Sequence, residues 1–192
     1  MPIMALSPPK QLLHFLKPYD PSIRKLTLSL RQLVLEVMAP CHENIYDAYS
    51  AVAIGYGPTD RLRDGICHVA VYANHVNLGF NFGATLPDPE GVLEGKGNQI
   101  RHLSLYGEKD LLRPEIRSYL QVACKVALDD ARKLGESLPP RPKDVVSIVK
   151  AIYSKKRRPD KSGKVIVITI AEKDRIPGAK KSVRKRKEKQ RT

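Results

Sequence analysis

The sequence predicts an α+β fold in which helices pack on one face of an antiparallel sheet of about five strands. Three observations support this fold class. Apolar residues repeat at helical spacing before residue 40, they alternate with polar or small residues over residues 43–106, and they return to helical spacing after Pro114. Hairpin-connected strands between helices are typical of this class.

Two helices are predicted before the sheet. Ser7, followed by proline, has the pattern of an N-cap with proline in the first turn, and the short helix that it starts ends at Pro18. Asp20 and a second proline repeat this start signal. The second helix ends before Pro40, and its apolar face is formed by Leu26, Leu30, Leu33, Val34 and Val37.

Four strands with one apolar face are predicted over residues 43–106. The turn dipeptides Asp64-Gly65 and Ala73-Asn74 separate neighbouring runs, which favours antiparallel hairpins. We expect the apolar series to face the helices, because alternate side chains of a strand point to opposite faces. The series consists of Val52, Ile54 and Tyr56; Cys67, Val69 and Val71; Val76, Leu78, Phe80 and Phe82; and Leu103 and Leu105.

A third helix and a division of the chain are predicted after the sheet. The helix begins after Pro114 and ends near Gly135, and stacked prolines at 139, 140 and 142 favour an extended linker. We therefore predict an α+β domain over residues 1–138 and a Pro-rich linker with a basic extension over residues 139–192. Residues 145–152 have the spacing of a short helix, residues 165–170 favour a strand added to a sheet edge in this chain or another, and residues 179–192 favour disorder.

The net positive charge of the chain comes entirely from the extension. Residues 1–138 hold 15 Lys and Arg against 15 Asp and Glu, whereas residues 139–192 hold 19 against 5, which accounts for the whole formal charge of +14. Such a segment attracts polyanions, and with Tyr153 as its one aromatic residue it predicts nucleic-acid binding indifferent to sequence. A solvated tail and an anionic membrane surface are the alternatives. The candidate contacts are Lys155, Lys156, Arg157, Arg158, Lys180, Lys181, Arg184, Lys185, Arg186 and Lys187.

Cysteine usage and hydropathy predict a cytoplasmic protein with reduced thiols. Cys41, Cys67 and Cys124 are odd in number and lack CxxC spacing, and nothing near Met1 has the pattern of a signal peptide. The longest apolar run lies at residues 165–170, far short of the ~20 residues that span a bilayer. We expect no transmembrane segment.

The second face of the predicted sheet is small and polar, and this is the main functional signal in the sequence. Small residues let a loop, a ligand or a partner protein approach the backbone closely. All three occupants are open from the residues alone. The face carries Ala51, Ala53 and Gly55; His68, Ala70 and Tyr72; Asn77, Gly79 and Asn81; and His102, Ser104 and Tyr106.

A glycine-rich segment, residues 83–102, lies next to this face. Its glycines let backbone N–H groups approach an anion, with Lys96 and Arg101 nearby, although the spacing is neither GxGxxG nor GxxxxGK[ST]. Glu94 has three interpretations: an ion pair with Arg101, a loop cap, or an acid/base group. The candidate ligand-binding residues are His68, Tyr72, Asn77, Asn81, Glu94, Gly95, Gly97, Arg101 and His102.

Metal and catalytic signatures are weak. Cys41-His42 and Cys67-His68 are adjacent pairs, and neighbours in a strand project to opposite sides. A metal site would have to form across strands, for instance from His68, His102 and Asp47. The sequence contains neither HExxH nor GxSxG, so it supports no enzymatic activity and implies no particular cofactor.

One stretch resembles a known family. It runs through Val76-Asn77-Leu78-Gly79-Phe80, Gly83-Ala84, Leu86-Pro87-Asp88-Pro89, Gly91-Val92-Leu93-Glu94-Gly95-Lys96-Gly97 and Ile100-Arg101-His102. This segment resembles the YdhG-like domain family, and a weaker likeness extends over residues 26–128. The resemblance implies an intracellular α+β domain of largely unknown biochemistry, with some relatives described as frataxin-like iron chaperones.

Taken together, the polar face and the resemblance lead us to expect a non-enzymatic module that handles a small ligand, anionic in our expectation, or a metal ion. Frataxin-like iron binding relies on an acidic surface, and hard cations prefer oxygen ligands. The second helix departs from this, with Asp20 and Glu36 against Arg24, Lys25 and Arg31. Nucleic-acid binding through the basic extension is the alternative function.

Overall fold

A computed structural model of the chain describes residues 6–133 and 142–170, and it confirms the α+β class. The three helices are α1 (Lys10–Leu16), α2 (Pro21–Met38) and α3 (Pro114–Lys133). The strands are β1 (His42–Asp47), β2 (Val52–Gly57), β3 (Cys67–Val71), β4 (Val76–Phe80), β5 (Arg101–Leu105), β6 (Val146–Ile152), β7 (Lys155–Pro159) and β8 (Val165–Thr169).

The helices begin and end where local chemistry requires. At the start of α2, the Asp20 carboxylate accepts a hydrogen bond from the backbone N–H of Ser22 at 2.8 Å, and Pro21 occupies the first turn. The helix ends at Met38, because the residue before Pro40 is extended. No helix among the described residues combines the length and the apolar character needed to cross a membrane.

The main sheet has six strands in the order β5-β4-β3-β2-β1-β6. Strands β1 to β5 form an antiparallel meander, and β6 pairs in parallel with β1. The sheet is therefore mixed and six-stranded, which corrects the expected antiparallel sheet of about five strands.

The segment over residues 145–152 was predicted as a helix, and that prediction was wrong. Val146, Val149 and Ile152 fit helical spacing, but β-branched residues also favour strands, and β1 offers an edge with which the segment pairs. Residues 146–152 thus complete the same sheet as β1 to β5, so the ordered structure does not end at residue 138.

The predicted alternation of the meander is confirmed. Every strand residue of the apolar series is at most 1% exposed, and the helices cover this face. Tyr19 donates a hydrogen bond to the carbonyl of Val71 at 3.2 Å, and the rings of Phe80 and Tyr119 lie 5.9 Å apart. Phe82 is the exception, because β4 ends at Phe80 and the chain then leaves the sheet.

Part of the basic extension forms a second, two-stranded sheet. β7 and β8 pair as an antiparallel hairpin, so the β-prone run at residues 165–170 finds a partner strand within this chain. The predicted proline linker falls mostly on residues 134–141, and the basic cluster from Lys180 to Lys187 falls on residues 171–192. Both lie outside the described residues.

Candidate ligand-binding face

The face of the main sheet opposite the helices is called the polar face. Cross-strand registers place its residues in two rows, since directly paired residues share a face. The first row is Asn44, Gly55, His68, Gly79 and His102. The second row is Tyr46, Ala53, Ala70, Asn77 and Ser104.

His68 is held flat against the sheet. Its Nδ1 lies 3.0 Å from Oδ1 of Asn81, so the Nδ1–H tautomer donates to that oxygen and leaves Nε2 as an acceptor. Its ring covers Gly79, where an added Cβ would lie 2.3 Å from the imidazole. Burial lowers the pKa of His68 below 6.5, and the neighbouring His102 lowers it further, against the Asn81 contact. The imidazole is therefore neutral near pH 7.

The glycine-rich loop borders the polar face at β5. Glu94 and His102 exchange two backbone hydrogen bonds of 2.8 and 2.9 Å, and Oε2 of Glu94 lies 3.9 Å from Nε2 of His102. Gly95 adopts a φ of +121°, which favours glycine over any L side chain. Arg101 donates to the carbonyls of Gly97 and Ile100, so among the described residues it pairs with its own loop and not with Glu94.

Three rings form an exposed cluster at one end of the polar face. The rings of Tyr72 and His75 stack with centroids 4.7 Å apart, and Tyr106 lies 5.7 Å from His75. Tyr106 remains 67% exposed. Burial lowers the pKa of His75, and the charge of His102 lowers it further, against Glu94.

Three buried side-chain polar atoms on this face have no hydrogen-bond partner among the described residues. Asn77 Oδ1 in the second row, Asn44 Oδ1 in the first row and His42 Nδ1 on the same side of β1 receive no hydrogen bond from any described residue. Buried acceptors are normally paired, because an unpaired one loses its hydration without compensation. Their concentration on one face makes the polar face the candidate site.

Two loops of the described chain contact the borders of the polar face. Thr59 O accepts a hydrogen bond from Asn44 at 3.4 Å, and an added Cβ at Gly65 would lie 2.7 Å from Nδ2 of Asn81. Asn77 and Ser104, in the middle, are half-buried. Both loop contacts therefore lie at the margins of the face.

The expected cross-strand metal site does not form. Asp47 lies on the helix side of β1, where Lys156 and Arg158 bind its carboxylate, so it cannot join His68 and His102. Among residues 6–133 and 142–170, no group of three or more His, Cys, Asp or Glu side chains is placed to hold a metal ion. Cys67 is buried, and burial raises its pKa well above the usual range.

Two of the candidate phosphate contacts are buried. Lys156 and Arg158 are each 2% exposed, and they bind the Asp47 carboxylate with their charged ends near the rings of Phe15 and Tyr19. This corrects their assignment as nucleic-acid contacts, because a cation paired inside the protein cannot reach phosphate. Lys155 and Arg157, on the opposite face of β7, are exposed.

Sequence reasoning missed the buried acids of β1. Glu43 accepts hydrogen bonds from Arg31 at 2.7 Å and from Ser147 at 2.6 Å, and Tyr56 donates to it at 3.3 Å. Strand β1 thus directs Glu43, Ile45 and Asp47 toward the helices. Residues 43–47 do alternate between the two faces of the sheet, but the charged residues on the buried side made this pattern hard to recognise. For the same reason, Asn44 was not placed on the polar face.

Compared with protein-family models, with curated proteins and with solved structures, the chain gives no match. The resemblance to the YdhG-like domain family therefore rests on the sequence motifs of residues 76–102 and on the weaker likeness over residues 26–128.

Proposed function

We propose that this chain is a YdhG-like, non-enzymatic module that binds a small molecule on the polar face. The observation that carries the proposal is Asn77 Oδ1, a buried acceptor in the second row with no hydrogen-bond donor among the described residues. An unpaired buried acceptor lowers stability, and proteins retain such groups mainly where function uses them. A bound donor would satisfy it.

The chemistry of the face favours a ligand with N–H or O–H donors. Asn77 Oδ1 and Nε2 of neutral His68 are acceptors, and an anion placed against them would be repelled. The alanine and glycine floor admits a flat or small group close to the sheet. A neutral polyol, amide or nucleoside meets these requirements better than the anion expected from the glycine-rich loop.

Iron handling is the weaker form of the proposal. The two carboxylates of α2 are both engaged, since Asp20 caps the helix and Glu36 accepts from Arg117 at 2.5 Å. Hard cations need several converging oxygen ligands. The described acidic residues offer no such group.

Replacing Asn77 with leucine tests the proposal. Asn77→Leu removes the unpaired acceptor, so the free energy of unfolding should rise by about 1 kcal/mol while ligand binding is lost. Binding is measured by thermal shift and amide NMR with neutral polyols, nucleosides and amino-acid amides, with inorganic phosphate and ferrous iron as contrasting probes. A bound probe should raise the melting temperature of the wild type.

Asn98→Ala is the matched control, because Asn98 is an exposed amide in the loop beside β5. It should leave both stability and probe binding unchanged. The proposal is contradicted if Asn77→Leu binds a probe as tightly as the wild type does. A response to phosphate or ferrous iron with none to any neutral probe contradicts the assigned ligand class.

Sequence-indifferent polyanion binding is the second candidate function. Lys155, Arg157, Lys161 and Lys164 are exposed on the hairpin. The nearby Asp160 carboxylate accepts from Ser162 and Lys164 of its own turn. These four cations supply the kind of phosphate attraction that needs no base contact.

A further inference from the structure

We propose that the outer edge of β8 binds an extended, acidic segment of a partner protein, which adds to the β7–β8 hairpin as a third strand. The edge consists of Val165, Val167 and Thr169. This surface is separate from the polar face and does not depend on what that face binds.

The backbone of the hairpin defines which groups point outward. Ile170 N donates to Ser154 O at 2.7 Å and Asp160 N donates to Lys164 O at 2.8 Å, so these are hydrogen-bonded pairs at the two ends. Antiparallel pairs alternate between bonded and non-bonded, which makes Arg157 and Val167 a non-bonded pair. The N–H and C=O groups of Val165, Val167 and Thr169 therefore point away from β7.

These outward groups have no backbone partner within residues 6–133 and 142–170. The strand is also unusually apolar for an exposed edge, since the side chains of Val165, Ile166 and Val167 are 39–51% exposed. An unpaired edge of β-branched residues is a template for another strand. Added pairing would bury both the backbone groups and the valines.

The other edge of the hairpin is protected. Arg157 N donates outward to Tyr49 O at 2.7 Å, and Pro159 has no N–H to offer. Edges that proteins keep free of pairing commonly carry such devices. Within β8 no residue of this kind occurs, so pairing is directed to that side.

The charges around the edge select an acidic occupant. Lys155 and Arg157 lie on the same face as Val167, and Lys161 and Lys164 flank the turn, all of them exposed. A second copy of this chain would bring two such sets of cations together, which disfavours self-pairing at low salt. Glutamate or aspartate on an added strand would instead meet opposite charge.

The backbone pattern also distinguishes a protein from a nucleic acid. The edge presents N–H donors and C=O acceptors in alternation, and an extended polypeptide matches both. Phosphates accept from cations and N–H groups but leave outward carbonyls and valine side chains unmatched. The favoured partner is therefore a polypeptide with acidic and apolar residues in alternation.

A short blocked peptide of alternating glutamate and valine is the probe, titrated into the full chain at low salt. We expect amide NMR shifts at Val165, Val167 and Thr169. Val167→Pro removes an outward N–H and should weaken binding by about ten-fold or more, whereas Val167→Thr, which keeps that N–H, should change it by less than about two-fold. Circular dichroism checks that both variants keep their fold.

Two further probes complete the test. The same peptide with alternate backbone nitrogens methylated keeps its charge but cannot pair, and it should not bind. The proposal is overturned if this peptide or plain oligoglutamate binds as well as the first, since attraction would then be charge alone. It is also overturned if Val167→Pro binds the first peptide normally, or if sedimentation shows that the edge is occupied by a second copy of the chain.

Discussion

At the scale of single residues, Gly79 and His68 determine the shape of the polar face. The imidazole lies where a Cβ at position 79 would be, and Asn81 fixes the ring from one side. Alternation predicted that His68 and His102 share a face. It did not predict the overlap of His68 with Gly79, because that follows from cross-strand register and a rotamer choice.

The lowered pKa of His68 gives a pH dependence. Its folded-state pKa lies below the unfolded value near 6.5, so the unfolded state takes up more protons and stability is lost as pH falls through the window below 6.5. His68→Gln should reduce this loss, measured by urea unfolding at about pH 7 and about pH 5. His75, whose pKa is also lowered, retains part of the effect.

The same experiment has a clear opposing result. His102 faces His68, Glu94 lies beside His102, and both remain in the variant. If His68→Gln loses as much stability on acidification as the wild type does, the buried imidazole is not the source of the dependence.

At the scale of secondary-structure elements, β1 holds the molecule together through two buried acids. Glu43 is bound from α2, β2 and β6, and Asp47 is bound by two cations of β7. These contacts join segments far apart in the chain. A buried carboxylate with several partners tolerates the loss of those partners poorly.

Neutralising Asp47 should release the hairpin. Asp47→Asn leaves Lys156 and Arg158 buried without a counter-charge, which costs about 3–5 kcal/mol. We expect hydrogen exchange in β7 and β8 to accelerate, and trypsin to cleave after Lys156, while β2 to β4 stay protected.

Asp60→Asn is the control, because Asp60 forms a half-exposed pair with Lys150 and such pairs contribute little. Hydrogen exchange in the hairpin should match that of the wild type. Unchanged protection of β7 in Asp47→Asn would show that the hairpin is held by other contacts.

Most of the helices and strands, but not all of them, could be predicted from the sequence alone. Three helices, four strands of the meander and the burial of their apolar series followed from periodicity and turn residues. Strand β6 did not, because its apolar spacing fits a helix as well, and pairing with β1 decided the outcome. The partner of Lys156 could not be found either, since Asp47 lies 109 residues away.

Part of the candidate site could also be predicted from the alternation of side chains along the strands. Side-chain parity along β3, β4 and β5 placed His68, Asn77 and His102 on one face. It could not show which polar atoms lack partners, because this depends on neighbouring loops. Asn44 was missed, since the charged residues of β1 point inward.

At the scale of the whole molecule, charge divides the chain unequally. The segment from residue 139 carries the entire formal charge of +14, yet two of its cations are used inside the fold. Among the described residues of this segment, the exposed cations are Lys143 and those of the hairpin face and its turn, and the sequence beyond residue 170 holds further basic residues. Polyanion binding must therefore be tested without removing β7.

A chain ending at Ile170 keeps the hairpin, and it should bind arbitrary duplex DNA far more weakly than the full chain does in 50 mM salt. With six to ten phosphate contacts, the affinity of the full chain should fall by about 10³ to 10⁵ between 50 and 200 mM salt. Fluorescence anisotropy measures both effects. Lys109→Glu changes an exposed cation outside the extension and serves as control. Equal affinity of the shortened chain would assign the binding to the hairpin cations alone, whereas indifference to salt, or no binding by the full chain, contradicts this function.

The contacts of β1 with β6 and β7 have a consequence for synthesis. A ribosome releases Glu43 and Asp47 long before Ser147, Lys156 and Arg158, which complete their binding. Until then the nascent chain can form its local hairpins and pair Glu43 with Arg31 and Tyr56, but the Asp47 carboxylate must stay hydrated. The final packing of Asp47 therefore waits until Lys156 and Arg158 have left the ribosome.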